Sequence, residues 1–566
     1  MVYYLDMPSI VGKRQGNKTY YYLVESARVG GKPRIVSQRY LGPAEEILAR
    51  LSETGPGEPD RTRHLGFGDV AAVWSMLERL KVAEIVNDVV GARRADAAAS
   101  VGTYIALAAL NRVCDPCSKL AFATWWARTA GDRWCRLPPA ALDHRRFWEA
   151  MDQISQAQLT EIEARIVTAM VQSFSIDLSG LVLDMTNFAT FIDSGNDRAP
   201  IAQRGHAKQK RTDLRILGLG LVVSRDGGVP LVSHAYPGNL PDVTQFETMV
   251  GELVRRFSVI GGTPSELTLV FDAGQNSAEN FELSGDSPLH FVGSLPPSDH
   301  PELLAVSRRR YRAVEGFSGL RAFETRALVF GVSRRVIVTH SENLHDKQHR
   351  GFAQTLAKAS RQLVEVQARL GRGRTRKSRQ AVEAEIAEIL RPRWLSRVIS
   401  TTLSGEEPPE MSLSWRVDDA AVRALEDELF GKRILVTDKD DCPLAEVVGD
   451  YRSQELAEGD FRQMKDRAVV SFSPMFHFTE QKIRVHVLYC TLALMVARLM
   501  VRDAERAGLH LSVRTLLAHL AGIEETVLLY PSAGGRPRAR RLLTEMDETQ
   551  TQLYELFGLA TYAPRS

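Results

Sequence analysis

Three acidic residues, Asp184, Asp272 and Glu458, stand in positions from which carboxylates can run phosphodiester chemistry. Asp184 closes the apolar run Leu181-Val182-Leu183, and Asp272 closes the run LTLVF at 267–271. A carboxylate at the end of a strand is held rigidly at the edge of a sheet, which a metal site requires. Ligand sets made only of oxygen suit Mg²⁺ or Mn²⁺, which keep positions open for water and phosphate oxygens. Two such ions about 3.5–4 Å apart activate an attacking oxygen and stabilise the leaving one. Without ions, three close carboxylates would repel and raise one another's pKa values. Either aspartate alone reads more readily as a turn or cap residue at a strand end. The order strand-Asp, strand-Asp, helix-Glu carries the reading.

Glu458 lies in Tyr451–Lys465, YRSQELAEGDFRQMK, a stretch of helix-forming composition with one glycine, Gly459. At steps of three, four and seven residues, Tyr451, Gln454, Glu458, Arg462 and Lys465 share one helix face. Glu455 lies close to the same stripe. A solvated face with incidental ion pairing gives the same pattern. The stripe gains meaning only if the two aspartates meet it.

The elements that must position these groups follow from the rest of the chain. At 566 residues it is too long for a single core. A net charge of +3 does not by itself announce a nucleic-acid partner, so local clustering must decide. No run of about 18 apolar residues is seen, so no membrane helix is expected. The N-terminus lacks the pattern of a secretory signal. Five cysteines in a long chain point to reduced thiols and a cytoplasmic protein. Cys114 and Cys117 form a CxxC without a second pair at zinc spacing, which is weak support for a metal or redox site.

The pattern predicts an α+β multidomain chain. A small β domain occupies 1–52, with turns at Gly16-Asn17 and Gly30-Gly31, and a Pro/Gly linker follows at 53–63. A helical domain at 64–176 suits DNA binding, with helices over 70–90, 97–113 and 159–174. Strands at 181–184, 214–224 and 229–236, a helix at 243–257 and a strand at 267–272 have the order of a ribonuclease H-like core, whose first part is 177–299. A mixed β/α insertion covers 300–445, with strands near 308–311, 327–340 and 433–437. The second part of the core, with the Glu458 helix, is 446–505, and a helical region at 506–566 ends the chain. Arg372, Arg374, Arg376 and Lys377 lie in a glycine-containing loop that can follow a phosphate backbone or simply be solvated.

Several blocks together resemble DDE transposases of bacterial insertion sequences, in the branch with a Y-x2-R-x3-E-x6-K signature. Tyr451-x2-Gln454-x3-Glu458-x6-Lys465 fits that spacing, with glutamine in place of arginine. Asp184 in LVLDMTNF and Asp272 in LVFDAGQNS resemble the two catalytic aspartates. The block from Gly205 to Leu214 and the turn Gly238-Asn239 with Asp242 resemble further family blocks. The likeness runs over nearly the whole chain. It implies catalytic and metal-binding roles for Asp184, Asp272 and Glu458, with two Mg²⁺ or Mn²⁺ ions, and it selects Glu458 over Glu455. It implies cleavage at transposon ends and joining of 3′-hydroxyls to target DNA. Tyr451, Gln454, Arg462, Lys465, Lys208, Lys210 and Arg211 are then expected at the DNA backbone. Double-stranded DNA with terminal inverted repeats, a homodimer or larger synaptic complex, and a bacterial nucleoid location complete the expectation. Asp193, Asp213 and Asp242 lack the preceding apolar run and are expected to stand outside the site. A nuclease without strand transfer, or a non-catalytic DNA-binding regulator derived from a transposase, are the competing readings.

Overall fold

The apolar runs around 181, 217, 231 and 269 pair into one sheet, as their pattern predicts, and the sheet continues further than the pattern implied. The computed structural model describes residues 8–29, 32–52, 58–91, 97–205, 213–260, 267–373, 376–408, 410–530 and 538–565. The strands of the main sheet are β1 (Gly180–Thr190), β2 (Arg215–Ser224), β3 (Pro230–Pro237), β4 (Thr268–Val270) and β5 (His290–Leu295), followed by β6 (Arg312–Ala313), β7 (Leu320–Val329), β8 (Val332–Ser341) and β9 (Lys432–Thr437). They lie in the order β6-β7-β8-β9-β5-β4-β1-β2-β3. β1, β2 and β3 form an antiparallel meander, and β4 and β5 run parallel to β1. β9 joins β5 in antiparallel fashion.

Four strands of the segment 300–445 therefore extend this sheet. Between β8 and β9 the chain leaves the sheet. It forms helices at Glu342–Gly371, Arg379–Leu390 and Asp419–Leu429, and a hairpin of Ile399–Ser404 with Ser412–Val417.

β2 is buried along nearly its whole length, which accounts for its unbroken apolar sequence. Its two internal glycines have a packing reason. A Cβ at Gly218 would collide with the Tyr236 ring, and one at Gly220 with the Met249 sulfur. Met249 belongs to a helix, Phe246–Ile260, that leads from β3 to β4.

The helical region contains Gly68–Arg79, Val82–Val90, α1 (Val101–Cys114) and α2 (Gln156–Phe174). The single helix expected over 70–90 is broken at Lys81, whose φ is +52°. α2 is tied to the sheet by Glu163, which accepts from the buried Arg256 and from the Ser233 N–H at 3.1 Å. The segment 308–311, expected as a strand, is a 3₁₀ turn at Arg308–Arg310.

The C-terminal region, expected to be helical, includes strands Glu524–Tyr530 and Arg538–Leu543. The first also pairs with Arg61–Gly66 at the far end of the helical region. Pairing over more than 450 residues outweighs local propensity here, as strand formation commonly allows.

The sheet is crossed by α3 (Leu444–Arg452) and α4 (Gln454–Met464). The long helix α5 (Glu480–Arg506) packs against β3, α1 and α2. α5 is long and apolar enough to cross a membrane by length and composition alone, although Arg484 and Arg498 interrupt its apolar run. Within the fold, 89% of its apolar window is buried. Arg502 fastens it to the β2–β3 turn through Asp226 (2.6 Å) and to the end of α2 through the Phe174 and Ser175 carbonyls (3.1 Å each).

Two histidines are sealed in this core. His486 uses Nε2 to donate to the Phe472 carbonyl (2.7 Å) while Nδ1 accepts from the Tyr489 hydroxyl, so the neutral ring satisfies both partners. Burial holds His486 well below the ordinary imidazole value and His477 down at about 3, with His477, Arg112 and Lys119 adding repulsion at His486 and Lys119 and Arg112 at His477. Both rings stay neutral in the fold and gain a proton once unfolded below about pH 6.5. Stability is therefore expected to fall as pH drops below that value, by about 1.4 kcal/mol per pH unit for each histidine. Unfolding midpoints measured from pH 7 to pH 5 should show this slope, and His477→Asn should make it shallower.

Candidate functional site

The site begins with strand register. β1 and β4 pair in parallel with Gly180 opposite Thr268, Leu181 opposite Leu269 and Val182 opposite Val270. The ladder ends at Val182 and Val270; carried forward two residues, its register would match Asp184 with Asp272 on one sheet face. The pairing of β4 with β5 adds Ser294 to the row. Its hydroxyl donates to Asp272 Oδ1 at 3.0 Å, and the Ala273 N–H donates to the same oxygen at 2.7 Å. Asp184 Oδ1 accepts from the Met185 N–H at 2.7 Å. Asp272 is exposed and Asp184 half-buried.

α3 and α4 lie across this face, and the stripe read from the sequence touches it at both ends. At one end, Tyr451 is buried, near Ser294 and the charge of Asp272. Burial raises its phenol, Asp272 adds to that shift, and Ser294 and Arg433 oppose it. At the other end, Lys465 Nζ donates to Thr186 Oγ1 at 2.7 Å, two residues along β1 from Asp184 and so on the same face. It also stands 5.5 Å from the centre of the Phe188 ring.

Glu458 lies on the stripe between these two contacts and is exposed. Glu455 and Glu458 both line a cleft of about 440 Å³, together with Tyr451, Gln454, Arg433 and Lys347. Gln454 is 9% exposed, so it faces the cleft from within the fold, whereas Arg462 is exposed. α4 is fixed from behind by Asp460, fully buried and paired with Arg498 of α5. Burial pushes the Asp460 carboxyl up to about 7 against the pull of Arg498.

Arg433, Ser294 and Lys347 were not singled out in the sequence. Arg433 Nη1 is 3.4 Å from the Tyr451 hydroxyl, and its guanidinium is 5.6 Å from the ring centre. Its strand, RILVT, carries no chemical signal, and only the pairing of β9 with β5 brings it to the cleft. Asp242, expected outside the site, accepts from the Tyr236 hydroxyl at 2.6 Å, and that phenol also feels the charge of Asp184. Asn280 binds its turn to that of Asp272 by donating to the Val243 carbonyl (3.1 Å) and the Gln275 carbonyl (2.7 Å).

Lys208, Lys210, Arg211 and Arg374 lie outside the described residues. Arg372 and Arg376 are exposed. Lys377 pairs with Glu385 at 2.9 Å, beside Arg369 at 2.6 Å, so part of the basic loop is neutralised within the chain. Cys114 and Cys117 form no disulfide. Among the described residues no group of three or more His, Cys, Asp or Glu side chains is arranged to hold a metal ion. Asp184 and Asp272 offer oxygen donors of the kind a hard divalent cation takes.

No protein-family model and no curated protein matches the sequence. Among solved structures, the chain is similar to a piggyBac transposase in a synaptic complex with hairpin DNA, at 10% identity and a TM-score of 0.38, over 82% of each chain. A likeness of that size transfers neither the site nor the activity.

Side-by-side aspartates without a cation should strain the fold. Like charges at directly opposed strand positions destabilise by up to about 1 kcal/mol. Asp272→Asn keeps the oxygen that accepts from Ser294 and Ala273, so it is expected to melt above the wild type in EDTA. Millimolar Mg²⁺ should raise the melting temperature of the wild type and leave the variant unmoved. A variant that melts no higher than wild type in EDTA would show that the two carboxylates do not interact.

Proposed function

We propose that the chain is a DDE transposase that cleaves DNA at the ends of an insertion sequence and joins the 3′-hydroxyls to target DNA. The observation that carries the reading is the parallel register that points Asp184 toward Asp272, with Ser294 on Asp272, and two consecutive helices, α3 and α4, that bring Tyr451 near Ser294 and Lys465 onto Thr186. Two further features support it. The five strands β3-β2-β1-β4-β5, with β2 antiparallel to β1, have the arrangement of a ribonuclease H-like core. The Y-x2-Q-x3-E-x6-K spacing also falls on α3 and α4, the two consecutive helices that cross this sheet, rather than on a single helix.

In this reading Asp184 and Asp272 would hold the divalent ions, and Glu458, which lines the neighbouring cleft, would join them from α4 when DNA and ions are bound. Bound ions would supply the acidity that turns a water or a 3′-hydroxyl into a nucleophile and would offset charge on the leaving oxygen. The chain's own groups do the positioning. Ser294 fixes the Asp272 carboxylate, and Arg433 donates to the Tyr451 hydroxyl. Lys465, held at Thr186, presents a cation at the strand edge where a scissile phosphate would lie. Arg433 supplies a guanidinium next to Tyr451 and Gln454, close to where the family signature carries its arginine. The cleft beside Glu458 receives the DNA strand, and a pair of chains on two transposon ends forms the working complex.

Incubation with Mg²⁺, a pre-cut duplex bearing the repeats that flank the gene, and a target plasmid is expected to yield joined product. Asp184→Asn and Glu458→Gln should each lower the yield about a thousandfold, the scale of losing a principal electrostatic group at a reacting centre. Hydrolysis without joined product would instead make the protein a nuclease. Arg433→Ala is expected to weaken end binding and to reduce the slope of log K against log salt by about 0.9, as for one lost phosphate contact. Adding Gln454→Arg to that variant should restore the slope. An unchanged slope in Arg433→Ala would remove Arg433 from the interface.

A further inference from the structure

Away from the aspartates, between the helical region and the segment that follows α4, lies a second cavity of about 300 Å³. That is the small end of the range for ligand pockets. Trp148, Phe476 and Tyr489 line it together with two cations, Arg112 and Lys119, and no carboxylate is among its lining residues. Both cations are deeply buried, Arg112 at 1% exposed and Lys119 at 7%. The Lys119 ammonium lies 4.4 Å from the centre of the Tyr489 ring and 5.3 Å from that of Phe147, but Nζ has no hydrogen-bond acceptor among the described residues. Arg112 Nε is likewise unmatched, and the rest of its guanidinium donates to neutral oxygens, including the Ser473 carbonyl at 3.0 Å.

Two buried positive groups without an acid are costly, because their desolvation is not offset by a counter-charge. Burial and the neighbouring Arg112 pull the Lys119 amine down to about 7, so an arriving anion would restore its charge.

We propose that this cavity binds a phosphomonoester carried on an aromatic ring, of the nucleoside monophosphate class. A phosphomonoester near neutral pH has a charge close to −2, which matches two unneutralised cations better than a carboxylate does. Trp148 and the exposed Phe476 ring offer stacking surfaces for a base. The ligand has two sources, a free nucleotide or the 5′-phosphate end of a DNA strand. The second rests on the transposase reading, and the first does not.

The test is calorimetric titration of the full chain with dAMP, deoxyadenosine and inorganic phosphate, then with one oligonucleotide bearing either a 5′-phosphate or a 5′-hydroxyl. dAMP is expected to saturate one site, with deoxyadenosine at least about tenfold weaker. Lys119→Met keeps the length and removes the buried charge, so it should fold at least as stably and lose dAMP affinity by about tenfold or more. Trp148→Phe, which keeps a ring, should weaken binding less than Trp148→Ala. Tighter binding of the 5′-phosphate oligonucleotide than of its hydroxyl twin would assign the cavity to strand ends. Equal binding of the two, with dAMP still saturating, would assign it to a free nucleotide. No saturable dAMP binding at millimolar concentration, or equal affinity in wild type and Lys119→Met, overturns the proposal. End joining assayed on the same samples tests the transposase reading separately, since its absence would leave the dAMP titration interpretable.

Discussion

The parallel pairing of β1 with β4 is the constraint on which the rest of the site depends. Three residue pairs set it, Gly180 with Thr268 through Val182 with Val270, and the register carries on to the two aspartates. Side chains alternate across a strand, so a slip of one residue would turn Asp272 to the opposite face. Parallel pairing also demands a crossover, which the helix at 246–260 provides. That helix can lie close to the sheet because β2 has no side chain at Gly220, opposite Met185. The glycines in a strand of otherwise apolar residues therefore serve the geometry of two acids some distance away.

The second constraint is the docking of α4. A helix with a polar stripe has little apolar reason to lie on a sheet in one orientation. Here the stripe is held beyond both ends of α4, by Tyr451 of α3, which accepts from Arg433, and by Lys465, which donates to Thr186. The opposite side of the helix holds Asp460, buried against Arg498. Such a pair adds little net stability but is expensive to break, by about 3–5 kcal/mol when one partner is removed. It therefore opposes rotation of the helix about its axis, and Glu458 remains at the cleft.

Charge on this molecule is organised by what faces it. The loop near 372–377 looks like a nucleic-acid contact in sequence, yet Glu385 takes up Arg369 and Lys377. Arg433 and Lys347, unremarkable in sequence, line the cleft that holds Glu455 and Glu458. Arg112 and Lys119 have no acid among the residues lining their cavity. A cation's meaning depends on its neighbours, and most of those neighbours are distant in the chain.

The sequence by itself determined the strands around 181, 217, 231 and 269 and the polar stripe from Tyr451 to Lys465, but the expected strand-end aspartates are placed otherwise: β1 runs on to Thr190, so Asp184 stands within it, and Asp272 lies two residues past Val270 at the start of a turn. The strands and the stripe are local signals, carried by apolar runs and by helical spacing. It did not separate Glu455 from Glu458 by spacing alone, and both line the cleft. It placed 300–445 apart from the core, because nothing in RILVT says which strand it will pair with. It took the last sixty residues as helical, because a strand that pairs with Arg61–Gly66 has no partner nearby in the chain. Tertiary structure alone decided that the strands of Asp184 and Asp272 lie side by side in matching register, that Ser294 meets Asp272, and that Arg433 reaches the cleft. Each of those facts is a matter of register between segments far apart in sequence, and hydrogen bonding across strands fixes register only once the chain has folded.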